Sequence, residues 1–444
     1  MSPCKPSVLQ VTAWYPPFDL GGTEVYLEGL VRELRTLEIE STVLVPRHNK
    51  AEETFAQAGT RVSTYLVDEN PTPKDMRDGT PHLHFEQFRA HLLKNRGAIY
   101  HQHSWTRGCG SHHLQAARDL GFRTVLTVHV AGNICLRGTM MRFDETACDG
   151  LVEETGCGAC WAQSRGAPKP LARAVANLPL STAKLARQCG GRLATALSAR
   201  ALVVERLQHI REMIANSDRI VAVCQWVHAM LAANGVPAQK LLLCRQGVSR
   251  DFLDNTRVAA ETRAKRDAPV QLLFLGRWDP VKGVDVVVRA IRSLPRNLDI
   301  RLTIRAIPAL HGEHAYEDSV RKLAGRDPRI SIEAPVAHGD LAATLANYDA
   351  LVVPSLWMET GPLVVIEAQA AGLFVLGSRL GGIAELVDED DAGELIQARN
   401  VEAWAEAIKR LAIRHRHGTL RQPSRRVRTM FSVAAEMADL YRSL

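Results

Sequence analysis

The chain has 444 residues, 46% of them apolar and 23% charged, and a formal net charge of +7. That length is too great for one ordinary core, so two α/β domains are expected, and the composition is that of a soluble globular protein. No uncharged apolar stretch reaches the ~18 residues of a spanning helix, and Met1 to Ser7 are not followed by the apolar segment of a secretory leader. A cytoplasmic location is expected, and in that compartment the nine cysteines are read as thiols or metal ligands rather than disulfides.

The first unit opens with an apolar strand run, Val8 to Thr12, then a loop from Trp14 to Gly22, then a helix from Thr23 to about Leu37. Adjacent glycines at Gly21 and Gly22 let a backbone approach a ligand closely, although most such pairs are simply turns. The pair is not G-x-G-x-x-G, so a nicotinamide site is not supported. Strand runs at Ser41 to Val45, Arg61 to Val67, Ala98 to Gln102 and Thr124 to His129 alternate with helical stretches, the pattern of a doubly wound parallel sheet. Ligands bind such sheets at the carboxyl ends of strands, where His103 and His129 both fall. One histidine there is ordinarily a packed residue; two successive strands ending in H-Q-H and T-V-H point to a polar site.

Cysteines at 135, 148, 157 and 160 lie in an insertion, residues 132–162, that lacks apolar periodicity. Four thiolates suit a structural zinc, and free or redox-active thiols remain the alternative. A catalytic zinc is disfavoured, because four cysteines leave no open position. Over residues 163–216 the composition turns basic: Arg165, Lys169, Arg173, Lys184, Arg187, Arg192, Arg200, Arg206 and Arg211 oppose only Glu205 and Glu212. The stretch is either a solvated helical face or a patch for anionic lipid or a lipid-pyrophosphate acceptor. Aromatic residues for base stacking are scarce in it, which argues against nucleic acid.

Arg219 to Val223, a helix to about Ala233 and Lys240 to Leu243 complete the first unit, and Ser249 to Asp267 reads as a polar linker. Strand runs recur at 270–275, 300–304, 329–332, 350–353, 374–376 and 394–396, followed by a helix Val401 to Arg414. A basic stretch with Arg416, Arg421, Arg425, Arg426 and Arg428 precedes a last helix, Ser432 to Leu444.

Two constellations carry the chemistry. In Gly276-Arg277-Trp278-Asp279-Pro280-Val281-Lys282-Gly283, at a strand-to-helix loop, a guanidinium fork and an ammonium point charge stand five residues apart, which suits a diphosphate. In Trp357 to Ala371, Glu359 precedes a helix whose first turn holds Pro362, and Glu367 lies inside it. The amides of Gly361, Leu363 and Val364 at that helix start form an anion site, flanked by acids that can accept hydrogen bonds from sugar hydroxyls.

G-R-x-x-P-x-K-G, then E-x7-E, then Gly381-Gly382-Ile383-Ala384-Glu385 resembles the large family of retaining GT-B glycosyltransferases that includes sucrose-phosphate synthase and bacterial polysaccharide transferases. The resemblance implies two Rossmann-like doubly wound parallel-sheet domains facing across a cleft. Residues 1–255 form the acceptor-side domain, with 432–444 packing back on it, and 256–431 the donor domain. It implies a nucleotide-diphosphate-sugar donor of UDP or GDP type and a glycan or lipid-linked acceptor, with a small metabolite also open; the basic stretch leans towards an acceptor at the inner face of a membrane. Arg277 and Lys282 bind the diphosphate and Glu359 the sugar hydroxyls. Glu367 holds the ribose, Gly21, Gly22 and Gly276 line the donor, and His129 stands beside the transferred sugar. Two protein cations, with no D-x-D acid pair beside a strand end, imply catalysis that needs no metal cofactor. Two positions depart from the family pattern: Pro362 replaces a glycine and Gln246 an asparagine. They keep two alternatives open, a non-catalytic sugar-nucleotide-binding subunit and another GT-B chemistry such as an epimerase or phosphorylase.

Overall fold

The computed structural model describes residues 6–18, 21–48, 52–68, 80–189, 191–261, 269–308, 314–387, 393–417 and 427–444. Of the stretches named above, residues 1–5, 19–20 and 262–267, with Arg421, Arg425 and Arg426, lie outside the described residues. The chain divides into two compact units, one of Met1–Arg245 with Phe431–Leu444, the other of Gln246–Met430.

The first unit is built on β1 (Ser7–Val11), β2 (Glu40–His48), β3 (Thr54–Gln57), β4 (Thr60–Val67), β5 (Ile99–Gln102) and β6 (Thr124–Val128). A small hairpin of β7 (Met141–Arg142) and β8 (Thr146–Ala147) follows, then β9 (Arg219–Ala222) and β10 (Leu241–Leu243). The sheet order is β10-β9-β6-β5-β1-β2-β4-β3. Every pairing in it is parallel except that of the edge strand β3 with β4. Every residue of β5 and β6 is buried, as expected where helices cover both faces of a parallel sheet. The short β3 was not anticipated, because its Thr-Phe-Ala-Gln carries no clear alternation and its register is supplied by β4.

The basic region folds as helices Glu154–Ser164, Lys169–Ala176, Leu180–Gln188, Arg192–Leu197 and Ala199–Asn216. The last helix of the chain, Met430–Arg442, places Tyr441 in this unit's interior at 2% exposure.

The second unit contains β11 (Val270–Arg277), β12 (Ile300–Ile307), β13 (Ile330–Glu333), β14 (Ala350–Val353), β15 (Phe374–Ser378) and β16 (Gly393–Ile396). They form a wholly parallel sheet ordered β13-β12-β11-β14-β15-β16. The order reverses direction between β11 and β14, and at such a switch point the loops leave the carboxyl ends of neighbouring strands in opposite directions and open a crevice. One expectation is corrected here: much of the stretch read as a linker is a helix, Arg250–Glu261, with Phe252 buried at 8%. Its charged residues mask an apolar stripe that tertiary packing fills.

Candidate functional site

In the second unit, Gly276 and Arg277 end β11, and the Lys282 loop continues from them. Asp279 accepts a hydrogen bond from the Val281 amide at 3.0 Å and closes the turn. Gly283 has a φ of 65°, a conformation in which a side chain is strained, and a Cβ there would lie 2.2 Å from the Pro354 carbonyl oxygen. The turn therefore packs directly on the chain leaving β14, where the Leu356 amide donates to the Val281 carbonyl at 2.7 Å. The result is a close ion pair: Lys282 Nζ lies 2.7 Å from Glu359 Oε1.

Glu359 is buried and also accepts from the Ser355 hydroxyl at 2.8 Å. Burial alone works to raise its pKa, but Lys282, Ser355 and Trp357 outweigh it and hold the carboxyl below its ordinary value. Glu359 is thus an anion at neutral pH. The Trp357 ring also flanks the ammonium, its centroid 5.4 Å from Nζ. Among the described residues Arg277 makes no ion pair, so its guanidinium is uncommitted.

Glu367 sits in the helix Leu363–Ala370, 7% exposed. Desolvation raises its pKa to about 7, because no cation offsets its burial. Pro362 is not in the first turn, as the sequence suggested, but is the N-cap, with φ −66° and ψ 120°. It has no side-chain acceptor to cap the first turn, which leaves the amides of Leu363 and Val364 directed at whatever binds there. Gly361 is held against the next loop: the Gly382 amide donates to the Glu359 carbonyl at 2.6 Å, and a Cβ on Gly382 would lie 2.4 Å from the Gly361 nitrogen. The second glycine pair therefore acts by letting two loops touch, which fixes the Glu359 backbone.

In the first unit, Gly21 caps the helix Gly22–Thr36, and both glycines are exposed. His129 follows β6 and His103 follows β5, at 5% and 2% exposure. Their rings are joined, His103 Nδ1 to His129 Nε2 at 3.2 Å. Tyr26, from the helix after the diglycine, packs edge-on to His129 with ring centroids 4.8 Å apart. Burial pushes His129 down to about 3 and His103 well below the ordinary value, so both imidazoles are neutral. Gln10, Tyr26, His101, Ser355 and Tyr441 were missed by sequence reasoning; only His101, inside H-Q-H, carried any signal.

Cys135, Cys148, Cys157 and Cys160 line one small cavity between the β7–β8 hairpin and the helix Glu154–Ser164, and all four are free thiols. Among the described residues no three His, Cys, Asp or Glu side chains are arranged to hold a metal ion. The sulfurs turn to separate partners: Cys160 takes hydrogen bonds from Arg137 and the Phe143 amide, Cys157 from the Glu153 amide, and Cys148 donates to Asp149. The four thiols expected from the sequence to hold zinc thus line one shared cavity. The basic stretch is also partly used internally: Lys169 pairs with Glu145, Arg187 with Glu205 and Arg200 with Glu154, while Arg206 bonds the Gly132 and Asn133 carbonyls.

Residues 21–247 match the family model for the glycosyl transferase 4-like domain and residues 257–421 that for glycosyl transferases group 1. The chain belongs to the group 1 glycosyltransferases, with the GT-B fold. Within this family it is 31% identical, over 209 residues, to D-inositol 3-phosphate glycosyltransferase of Mycobacterium tuberculosis. That match spans 45% of this chain and only 42% of the length of the curated relative. Solved structures of similar fold include sucrose-phosphate synthase from Thermosynechococcus elongatus, with TM-score 0.64, 17% identity and 99% of both chains covered. Anabaena Alr3699/HepE in complex with UDP and glucose is similar at TM-score 0.59 and 13% identity, covering 98% of this chain and 99% of that one. The catalytic domain of starch synthase IV from Arabidopsis thaliana, bound to ADP and acarbose, is similar at TM-score 0.59 and 14% identity, with 99% of both chains covered.

Proposed function

We propose that the chain transfers a glycosyl group from a nucleotide-diphosphate sugar to a hydroxyl acceptor with retention of anomeric configuration. The observation that carries this reading is the Lys282–Glu359 pair beside an uncommitted Arg277, at the carboxyl ends of neighbouring strands and next to a helix start without a side-chain cap. Arg277 and Lys282 neutralise the charge that develops on the diphosphate as the glycosidic bond breaks, which lowers the barrier electrostatically without a metal. Glu359, held ionised, accepts from sugar hydroxyls, while Glu367 accepts from the ribose. The amides of Gly361, Leu363 and Val364 receive the sugar or the phosphate, and Gly21 and Gly22 present backbone to the donor. His129, being neutral, bonds a hydroxyl of the transferred sugar rather than acting as a charged acid.

The test is to incubate the chain with UDP-, GDP- and ADP-sugars and a panel of glycan and lipid-linked acceptors, following nucleoside diphosphate release and product anomer. One donor should support transfer with retention, and Glu359→Gln should abolish it. Donor binding without any turnover across the panel would instead favour the non-catalytic subunit.

A membrane-borne acceptor is a second element of the reading. It is favoured by Leu171, Leu185 and Leu193, 55%, 65% and 75% exposed, on three successive helices of which the first two also carry Arg173 and Lys184. Among the described residues no helix is long and apolar enough to cross a membrane, so such contact is peripheral. Co-sedimentation with anionic but not neutral vesicles tests it.

A further inference from the structure

The first unit contains a continuous buried hydrogen-bonded chain that ends on His129. It runs from Thr127 Oγ1 to His101 Nε2 at 2.7 Å, from His101 Nδ1 to the Tyr441 hydroxyl at 2.6 Å, and from that hydroxyl to Gln10 Nε2 at 3.4 Å. From Gln10 Oε1 it continues to His103 Nε2 at 2.8 Å, and from His103 Nδ1 to His129 Nε2 at 3.2 Å. We propose that Gln10 is a positioning residue whose amide sets the tautomer of His129, so that His129 Nδ1 is a hydrogen-bond acceptor and recognises a ligand hydroxyl only as a donor.

Each member of the chain has a fixed number of hydrogens to give. A neutral imidazole has one N–H and one bare nitrogen, and an amide has a donating end and an accepting end. Gln10 Oε1 can only accept, so His103 Nε2 carries the hydrogen and His103 Nδ1 is bare. A bare His103 Nδ1 requires His129 Nε2 to donate, which leaves His129 Nδ1 without a hydrogen. On the other side, Gln10 Nε2 donates to the Tyr441 oxygen, and Tyr441 uses its single hydrogen on His101 Nδ1. His101 then donates from Nε2 to Thr127. Reversing the amide reverses every one of these assignments, so the chain has two states.

The distances favour the first state. A hydroxyl donor bonds at roughly 2.5–3.0 Å and an amide or imidazole donor at roughly 2.7–3.2 Å. The 2.6 Å Tyr441–His101 contact fits O–H as the donor and is short for N–H. The 3.4 Å Tyr441–Gln10 contact is a weak bond from nitrogen, and far too long for a tyrosine hydroxyl donating to a carbonyl. Both observations place the Tyr441 hydrogen on the His101 side, and therefore the Gln10 oxygen toward His103. His101, His103 and His129 are all kept neutral by burial, so the tautomer and not the charge is the variable. That the recognised hydroxyl belongs to a sugar rests on the proposed function; the tautomer does not.

The test is a long-range 1H–15N correlation spectrum of the whole chain labelled with 15N-histidine, without ligand, assigned by single His→Gln replacements. His101, His103 and His129 should each show hydrogen on Nε2 and a bare Nδ1. Hydrogen on Nδ1 of His129 overturns the proposal, and this wild-type result needs no Gln10 variant to fold. In Gln10→Met, His103 and His129 should show both tautomers, with the signals of His82 and His113, two buried histidines joined Nε2 to Nε2 at 3.3 Å outside this chain, unchanged as the control for folding; a retained single tautomer removes Gln10 from the role. Splitting His129 between two forms should weaken binding of the donor sugar by about two- to tenfold, leaving that of the nucleotide alone unchanged. Absence of all donor binding with the expected spectrum would overturn the proposed function and leave the tautomer assignment standing.

Discussion

Glu367 gives the sharpest consequence of burial in the second unit. Its carboxyl is 7% exposed and its pKa is raised to about 7 from an ordinary 4.5. A raised pKa in the folded state means that the native chain binds more protons than the unfolded one between those values, so stability falls as pH climbs from about 4.5 to about 7. The shift corresponds to about 3 kcal/mol at its largest, taking ~1.4 kcal/mol per unit. Glu367→Gln removes the ionisable group while keeping a carbonyl acceptor. Its unfolding transition at pH 8 should rise by about 5–10 °C relative to wild type, for a unit of this size, with little difference at pH 4.5. The same group shapes ligand binding: if only the anion accepts from ribose hydroxyls, affinity for a nucleotide-diphosphate sugar should rise about tenfold from pH 6 to pH 8. Calorimetric titration with the intact sugar conjugate, whose diphosphate does not titrate in that range, reads this directly. Equal pH dependence of stability in wild type and Glu367→Gln would refute the reasoning, as would a binding profile that is flat in the wild type.

Lys282→Met leaves Glu359 buried without its cation and should cost about 3–5 kcal/mol, read as a lowered melting temperature; the Lys282→Met/Glu359→Gln double variant should regain much of it. Gly382→Ala forces the Glu359 loop away from a contact of 2.4 Å, and should lower stability by about 1–3 kcal/mol while raising KM for the donor. Replacing Leu171, Leu185 and Leu193 together by serine should leave the melting temperature almost unchanged, because the three are exposed, and should reduce co-sedimentation with anionic vesicles severalfold.

The parallel sheets were legible because buried strands read as continuous apolar runs, as Ala350 to Val353 does, and the helices between them carry a regular stripe. The places of Arg277, Lys282 and Glu359 after the strands were legible because strand-to-helix loops in such sheets lie at the carboxyl edge, and that of Glu367 because it falls in the helix that follows. What joins them was not: Gly283 and Gly382 look like turn residues until the Pro354 carbonyl and the Gly361 amide are seen against them. Of the Gln10 to His129 chain only the histidines left a pattern; Gln10 and Tyr441 left none, since Tyr441 stands 340 residues beyond His101. Composition also overstated the basic region, because it cannot say which cations turn inward, as Arg206 does to bond the Gly132 and Asn133 carbonyls. The helix Arg250–Glu261 was hidden by its charges in the same way.

The central claim, a nucleotide-diphosphate sugar held by Arg277 and Lys282, is tested most directly by titrating wild type and Arg277→Ala with UDP-, GDP- and ADP-sugars. Because Arg277 makes no ion pair among the described residues, its replacement should leave the ligand-free melting temperature within a few degrees of wild type. The account predicts saturable binding of one donor by the wild type and at least about a tenfold loss in the variant, the scale of a charge-assisted phosphate contact. No binding by folded wild type, or equal binding by both, would contradict it.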